Sequence, residues 1–417
     1  MKMGVCFSDE VEQALRYIYY DLRAGKGKEG FALLEKASAA GDGDASCILG
    51  RCYCGPQYVW GGHGFPEDDH LAVKLMHQSV AQGSALGVLV SMRMGELTPS
   101  VEKKMPFASI QEAFDIVLQK AEAGDAFCQY TVGNTYFWWD FLRIQGKGQD
   151  SFPNAGAYKA YLKENIQKCE GWFQKAYRGG IYFAANNLNH FYTEGDEDII
   201  LPQPEKAADI YKSGAEMGYP PIQNTYAKDL KEAGKQEEAL YWFKQAAEAG
   251  HPGAWYEVGA AYFNGAGVSK DAGYAVSCFE RELAKNPIHT GSCNLLGKAY
   301  FFGDGVPQDY AKAYQLLATA YYKQDSTWGV YYLAKCSFNG WGTPQDYTRT
   351  MEFLNKMTFH NPEADYMRGF LHARGLGGVP EDIKKGVEYL KKAEDVPEAK
   401  AELLNYRKTL FGKWVRR

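Results

Sequence analysis

One pattern recurs along the whole chain and restricts the folds open to it: a small residue, two variable residues, two apolar residues, two more variable ones, and usually another small residue. Ten copies begin at Gly30, Ala72, Ala113, Cys169, Ala207, Ala239, Ala275, Ala313, Thr350 and Gly386, with apolar pairs such as Leu33-Leu34, Trp172-Phe173, Trp242-Phe243 and Leu316-Leu317. Positions i, i+3, i+4 and i+7 share one helical face, so each copy predicts an amphipathic helix, here termed helix B. Successive copies start 32 to 56 residues apart and mostly 36 to 42, the period of helix-pair repeats. The longest interval, from Ala113 to Cys169, marks an insertion. A chain of 417 residues would otherwise divide into several globular domains. An array whose units touch only their neighbours escapes that limit.

Each helix B is preceded by a second amphipathic segment, helix A, clearest in AWYEVGAAYFNG (Ala254–Gly265) and SCNLLGKAYFFG (Ser292–Gly303). An apolar residue, Gly and then Tyr recur as Leu49-Gly50-Tyr53, Val132-Gly133-Tyr136, Val258-Gly259-Tyr262 and Leu296-Gly297-Tyr300, while Leu188 and Tyr192 keep the spacing around Asn189. Glycine inside a helix costs about 1 kcal/mol relative to alanine. Its recurrence predicts that a neighbouring helix approaches too closely for a side chain. Between A and B the linkers read GDGVPQDYAKA (Gly303–Ala313), GWGTPQDYTRT (Gly340–Thr350) and GLGGVPEDIKKG (Gly375–Gly386). The first Gly is expected to end helix A at positive φ. Pro is expected to open helix B, where its missing N–H costs nothing, with Asp309, Asp346 and Asp382 in the first turn, favoured by the helix dipole.

These linkers, the L-G-x-x-Y of helix A and the A-x-x-x-[FL]-x-x-A of helix B resemble Sel1-like repeats, relatives of tetratricopeptide repeats. The resemblance covers essentially the whole chain, with weaker copies before Ala160. Gly265–Ala275 departs from it by having Ser269 in place of Pro, and Gln223 to Ala249 carries the tight turn of a tetratricopeptide repeat. It implies an all-α fold: a right-handed α/α superhelical solenoid of about ten helix pairs, running as one continuous array over residues 1–417. Degenerate repeats are expected over 8–160 and clearer ones over 180–396, closed by a capping helix over 398–411. Two segments break the period and are expected to be inserted loops: 55–66 (GPQYVWGGHGFP) and 140–157, which follows the aromatic run Phe137-Trp138-Trp139. Loops on a rigid array are where specificity tends to sit. The run through Phe141 is open to two readings, a core seal beside the insertion or an exposed binding surface. Four adjacent aromatics cannot all face one side of a helix.

Composition narrows the function classes. A net charge of −5 lacks the basic stripe of a general nucleic-acid binder. No apolar run approaches the ~20 residues that cross a bilayer, and Met1 to Glu10 carries no leader pattern. Nine cysteines scattered without regard to the repeat fit a reducing compartment, so a cytoplasmic, bacterial-type protein is expected, with neither membrane nor nucleic acid as partner. No nucleophile elbow, phosphate loop or H-E-x-x-H is present, and the expectation is a non-enzymatic protein without a cofactor. One constellation could hold a metal: Cys52 and Cys54 with His63 and His70, aided by Cys47 or His77. Against it, C-x-C is not the usual zinc spacing, and Cys47 and Cys54 share a helical packing face.

In the fold that the resemblance implies, the A helices line the concave wall. The positions three before and one after the small residue of helix A then point into the groove. They are Tyr130/Asn134, Asn186/His190, Thr225/Asp229, Tyr256/Ala260, Asn294/Lys298, Tyr331/Lys335 and Tyr366/Phe370. Tyr gives rigid contact area and Asn holds backbone amides, while Lys298 with Lys335 suits an acidic group. These residues predict an adaptor or scaffold for a protein or peptide ligand. The rival readings are a carbohydrate or cell-wall-fragment binder, stacking sugars on Tyr and Trp, and a metal or enzymatic protein built on the Cys52/Cys54/His63/His70 region.

Overall fold

A computed structural model describes residues 6–22, 25–195 and 199–417. Met1–Val5, part of the segment on which the leader reading rests, lies outside them. The described chain is all-α, with 23 α-helices running from Asp9–Leu15 to Pro397–Leu403 and two short strands at the C-terminal end. It divides into two compact units, Met1–Ala233 with Glu248–His251 and Gly234–Ala247 with Pro252–Arg417, termed here the N-terminal and C-terminal units.

Within the N-terminal unit the A and B helices alternate as Gly43–Tyr53 and Asp69–Ala81, Ala85–Arg93 and Ile110–Glu122, Ala126–Phe137 and Ala155–Arg178, Phe183–Glu194 and Pro204–Glu216. The C-terminal unit repeats the pairing in Ala254–Asn264 and Ala272–Lys285, Thr290–Phe302 and Tyr310–Gln324, Val330–Asn339 and Tyr347–Lys356, Pro362–Arg374 and Ile383–Lys392. The expected close approach between A and B is present. A Cβ added at Gly133 would lie 2.5 Å from Phe173, one at Gly259 2.6 Å from Phe279, and one at Gly297 2.8 Å from Leu317. In each case the intruding side chain belongs to the apolar pair of the following helix B, so the two sequence signatures are halves of one contact.

The linkers differ from expectation at one point. The Gly that ends helix A is left-handed as predicted, with φ 77° at Gly303 and 74° at Gly340. Pro307 and Pro344, however, lie outside helix B, two residues before the side chain that starts it. Asp309, Asp346 and Asp382 are the N-caps: their carboxylates accept from the backbone N–H of Lys312, Arg349 and Lys385 at 3.0, 3.0 and 2.9 Å. Asp68 and Asp271 do the same for Leu71 and Tyr274. A carboxylate that satisfies an orphan N–H outcompetes a first-turn position where only the dipole acts on it.

The C-terminal cap is also shorter than the sequence suggests. Its helix ends at Leu403, and Tyr406–Lys408 then pairs antiparallel with Trp414–Arg416. Glu402 ties the segment down, accepting two bonds to its Oε1 and Oε2 from Arg374 Nη2 at 3.0 and 2.8 Å and one from Tyr406 Oη at 2.8 Å. The segment 55–66 is a loop with one short 3₁₀ turn at Gly61–His63. In 140–157, by contrast, Asp140–Ile144 is helical and Ala155 already belongs to the long helix B.

Candidate functional site

A cavity of about 400 Å³ opens in the N-terminal unit, lined by Arg51, Gln57, Tyr58, Leu89, Val90, Arg93, Tyr130, Thr131, Asn134, Trp138 and Asn187. Its walls come from four successive A helices, Gly43–Tyr53, Ala85–Arg93, Ala126–Phe137 and Phe183–Glu194, from the 55–66 loop and from Trp138. The 55–66 loop contributes Gln57 and Tyr58. The end of the Ala126–Phe137 helix contributes Trp138, which is 53% exposed. Of the aromatic run, Phe141 is core at 1% exposure and Phe137 packs against Phe173 and Phe191, while Trp138 is exposed. Trp139 turns the chain between them at a φ of 65°, a conformation uncommon outside glycine.

Arg51 is the dominant group. It is 5% exposed, and its Cζ lies 5.3, 5.5, 5.9 and 6.0 Å from the ring centroids of Phe127, Tyr58, Tyr130 and Tyr19. Its Nε donates to Tyr19 Oη at 3.3 Å, and that hydroxyl in turn donates to the Tyr58 carbonyl at 3.2 Å. Burial works against the charge, but the phenols of Tyr19 and Tyr130 more than offset it and hold the guanidinium pKa above its ordinary value. Arg93 is the second cation. Asp140 accepts from its Nε at 2.7 Å and from its Nη2. Burial lowers the Arg93 pKa, opposed by Asp140, and Arg51 adds a further lowering through repulsion. Asn187 Nδ2 donates to Asn134 Oδ1 at 2.7 Å, closing the wall opposite the aromatics.

Two of the residues expected at a binding face, Tyr130 and Asn134, therefore stand together in this cavity. In the Phe183–Glu194 helix it is Asn187 that reaches Asn134. Asn186 is exposed, and exposed His190 lies 3.1 Å from Glu194 and lines a separate depression with Phe137, Trp138 and Trp139. In the C-terminal unit the expected residues meet partners within the unit. Tyr256 packs against Phe279 and His289. Asn294 is buried and donates to Ser326 Oγ at 3.0 Å. Lys298 lies 5.7 Å over the Phe263 ring. Tyr331 Oη donates to Glu363 Oε2 at 2.6 Å, Lys335 Nζ sits 2.5 Å from the same oxygen, and Tyr366 packs on Phe338. Lys335 thus already has its carboxylate.

The sequence reading passed over Arg51, although the rule that selected Asn134 (one residue after the helix A glycine) selects Arg51 after Gly50. The metal constellation does not assemble. Cys47 and Cys52 are fully buried and Cys54 nearly so, burial pushes all three thiols up, and His63 Nε2 is engaged with the Ile18 carbonyl at 2.9 Å. Among the described residues no group of three His, Cys, Asp or Glu side chains is placed to hold an ion.

The fold and the repeat signatures define a helical-repeat protein, and comparison with known proteins gives the family. The Sel1 repeat matches at residues 26–42, 44–84, 156–181, 182–219, 233–251, 254–281, 291–325, 329–357 and 362–395. These nine matches take in more than half of the chain, which therefore belongs to the Sel1 repeat family. The cavity wall from Leu89 to Trp138 lies between the second and third matches. Among solved structures, the chain is similar to a Sel1 repeat protein from Oxalobacter formigenes, at 21% identity over 79% of this chain and 89% of that one, with a TM-score of 0.47. It is also similar to c5321, described as a protective antigen present in uropathogenic Escherichia coli strains and displaying an SLR fold. That match has 18% identity over 95% of this chain and 78% of that one, with a TM-score of 0.49. Comparison with curated proteins returns no match.

Proposed function

We propose that this chain is a non-enzymatic, cytoplasmic adaptor or scaffold that holds a protein or peptide ligand on its A-helix face, with the Arg51 cavity as the principal recognition point. Sel1 repeats commonly serve as protein-interaction scaffolds. The observation that carries the reading is the cavity's lining. It combines two guanidiniums, two phenols, an indole and three carboxamides with the apolar side chains of Leu89 and Val90. Such a set supplies rigid aromatic contact and hydrogen bonds for a peptide backbone. The compartment is supported by eight buried free thiols, and no helix among the described residues is long and apolar enough to cross a membrane.

The test is comparative affinity purification from native lysate. A Tyr130→Ala, Asn134→Ala double variant should lose the principal partner, while Lys298→Ala, Lys335→Ala keeps it, both being checked for an unchanged helical signal. Retention by the first pair and loss by the second would move the site to the C-terminal unit and sink the proposal.

A further inference from the structure

Buried charges in proteins are paired or bound to ligands, because an ion taken out of water without a partner is costly. The described arginines follow that rule with one exception. Among the described residues, Arg93, Arg143, Arg349, Arg368, Arg374 and Arg416 each have a carboxylate within 4.0 Å. Arg16, Arg178, Arg281, Arg407 and Arg417 have none, but all five are exposed. Among the described residues Arg51 alone is both buried and without a carboxylate partner. Among the described residues its one side-chain bond runs from Nε to Tyr19, none accepts from the two terminal nitrogens, and the residue lines the cavity. Four rings surround the guanidinium, and of their hydroxyls only that of Tyr19 accepts a bond from it. Among the described residues no Asp or Glu lines the cavity, and its other cation, Arg93, is paired with Asp140. The chamber is therefore net positive and lacks one anion.

We infer that the missing anion is the terminal carboxylate of a peptide whose last residue is apolar. A guanidinium edge and a planar carboxylate match in two parallel bonds. The volume of about 400 Å³ exceeds what a bare anion fills and suits a residue-sized group. Leu89 and Val90 provide an apolar floor for that residue's side chain, with the Trp138 indole beside it at the rim. The Asn134–Asn187 pair, on the same lining, offers donors and acceptors to the preceding peptide unit. The inference rests on the adaptor reading only in placing the ligand within a larger partner. An acidic side chain shares the carboxylate but has to enter as a loop, and it forms a separate arm of the test.

The experiment is calorimetric titration of the full chain with four probes: acetyl-Gly-Gly-Leu with a free carboxylate, the same peptide ending in an amide, acetyl-Gly-Glu-Gly-amide, and inorganic phosphate. The free-carboxylate peptide should bind more than about tenfold tighter than its amide, a difference of about one charge-assisted pairing. The glutamyl peptide and phosphate should bind more weakly than the free-carboxylate peptide. Arg51→Gln should bring the acid and amide peptides to equal affinity, and Arg51→Lys should restore part of the gap. Equal binding of acid and amide to the unaltered chain overturns the inference whether or not the variants fold, and so does preference for the glutamyl peptide or for phosphate. The two readings can fail separately. If acid-selective binding is lost in Arg51→Gln while the natural partner is retained, the carboxylate site stands and the adaptor role of this cavity falls. If partner capture needs Tyr130 and Asn134 while acid and amide bind alike, the reverse holds.

Discussion

The two units are built on one packing scheme but differ in what meets one cation on the A helices, Lys335 in one and Arg51 in the other. In the C-terminal unit the repeats are regular, and the carboxylate that meets Lys335 stands on the next A helix. Tyr331 and Lys335 share Glu363, and Asn294 reaches Ser326. In the N-terminal unit the 55–66 loop and the turn at Trp138–Trp139 interrupt the period, and Arg51 has no carboxylate among the described residues. A regular array brings together side chains that the repeat holds in register. An interrupted one brings together side chains that the repeat does not pair, and the room left between them is a cavity.

That contrast can be broken at several points. The largest effect should come from packing and should be alike in both units. Phe173→Ala and Phe279→Ala, both fully buried against an A-helix glycine, should each cost about 3–5 kcal/mol, read as a lowered denaturation midpoint. A cost well below 2 kcal/mol for either would show that the two units do not share the A–B seam. Next, Gly133→Val and Gly297→Val should each destabilise by about 1–3 kcal/mol through overpacking. A neutral result at Gly133 would mean that the interrupted unit is looser than drawn. Polar substitutions should then separate the units. Arg51→Met removes a buried charge that has no carboxylate partner, so in the absence of ligand it should leave the melting temperature unchanged or higher. A marked fall would make Arg51 a structural residue.

The smallest effect is a pH dependence. Burial favours the neutral Glu363 carboxyl, but the bonds from Lys335 and Tyr331 outweigh it, so its pKa lies below the ordinary carboxylate value. A depressed folded pKa gives stability that is present above the unfolded pKa, about 4.3, and is lost as pH falls through the folded value. Because both partners are partly exposed, the contribution should be only a few tenths of a kcal/mol. Glu363→Gln should flatten stability below about pH 4.5, and an unaltered acid limb in that variant would remove the ion pair from the account.

Much of this was readable from the residues, and the failures have physical causes. The A and B helices follow from period and small-residue spacing because the contact between them is local in sequence and repeated. Asp309, Asp346 and Asp382 were rightly assigned to the start of helix B but misplaced by one role, since proline and aspartate both favour that boundary and only the capping bond decides between them. The C-terminal strands were missed because their stability lies in Glu402, Arg374 and Tyr406 meeting across the fold. Lys335 looked available because its carboxylate stands 28 residues further on, in the next helix A. Arg51 lay under the same spacing rule as Asn134. Its lack of a carboxylate, however, is a property of the surrounding space, and no spacing reports that.

The most direct measurement is a crystal structure of the full chain grown with acetyl-Gly-Gly-Leu carrying a free carboxylate. The account predicts the carboxylate within hydrogen-bond distance of both terminal nitrogens of Arg51, the leucine side chain over Leu89 and Val90, and the Asn134–Asn187 pair on the peptide backbone. A peptide bound elsewhere, or an Arg51 guanidinium engaged by a carboxylate of the chain itself, would contradict it.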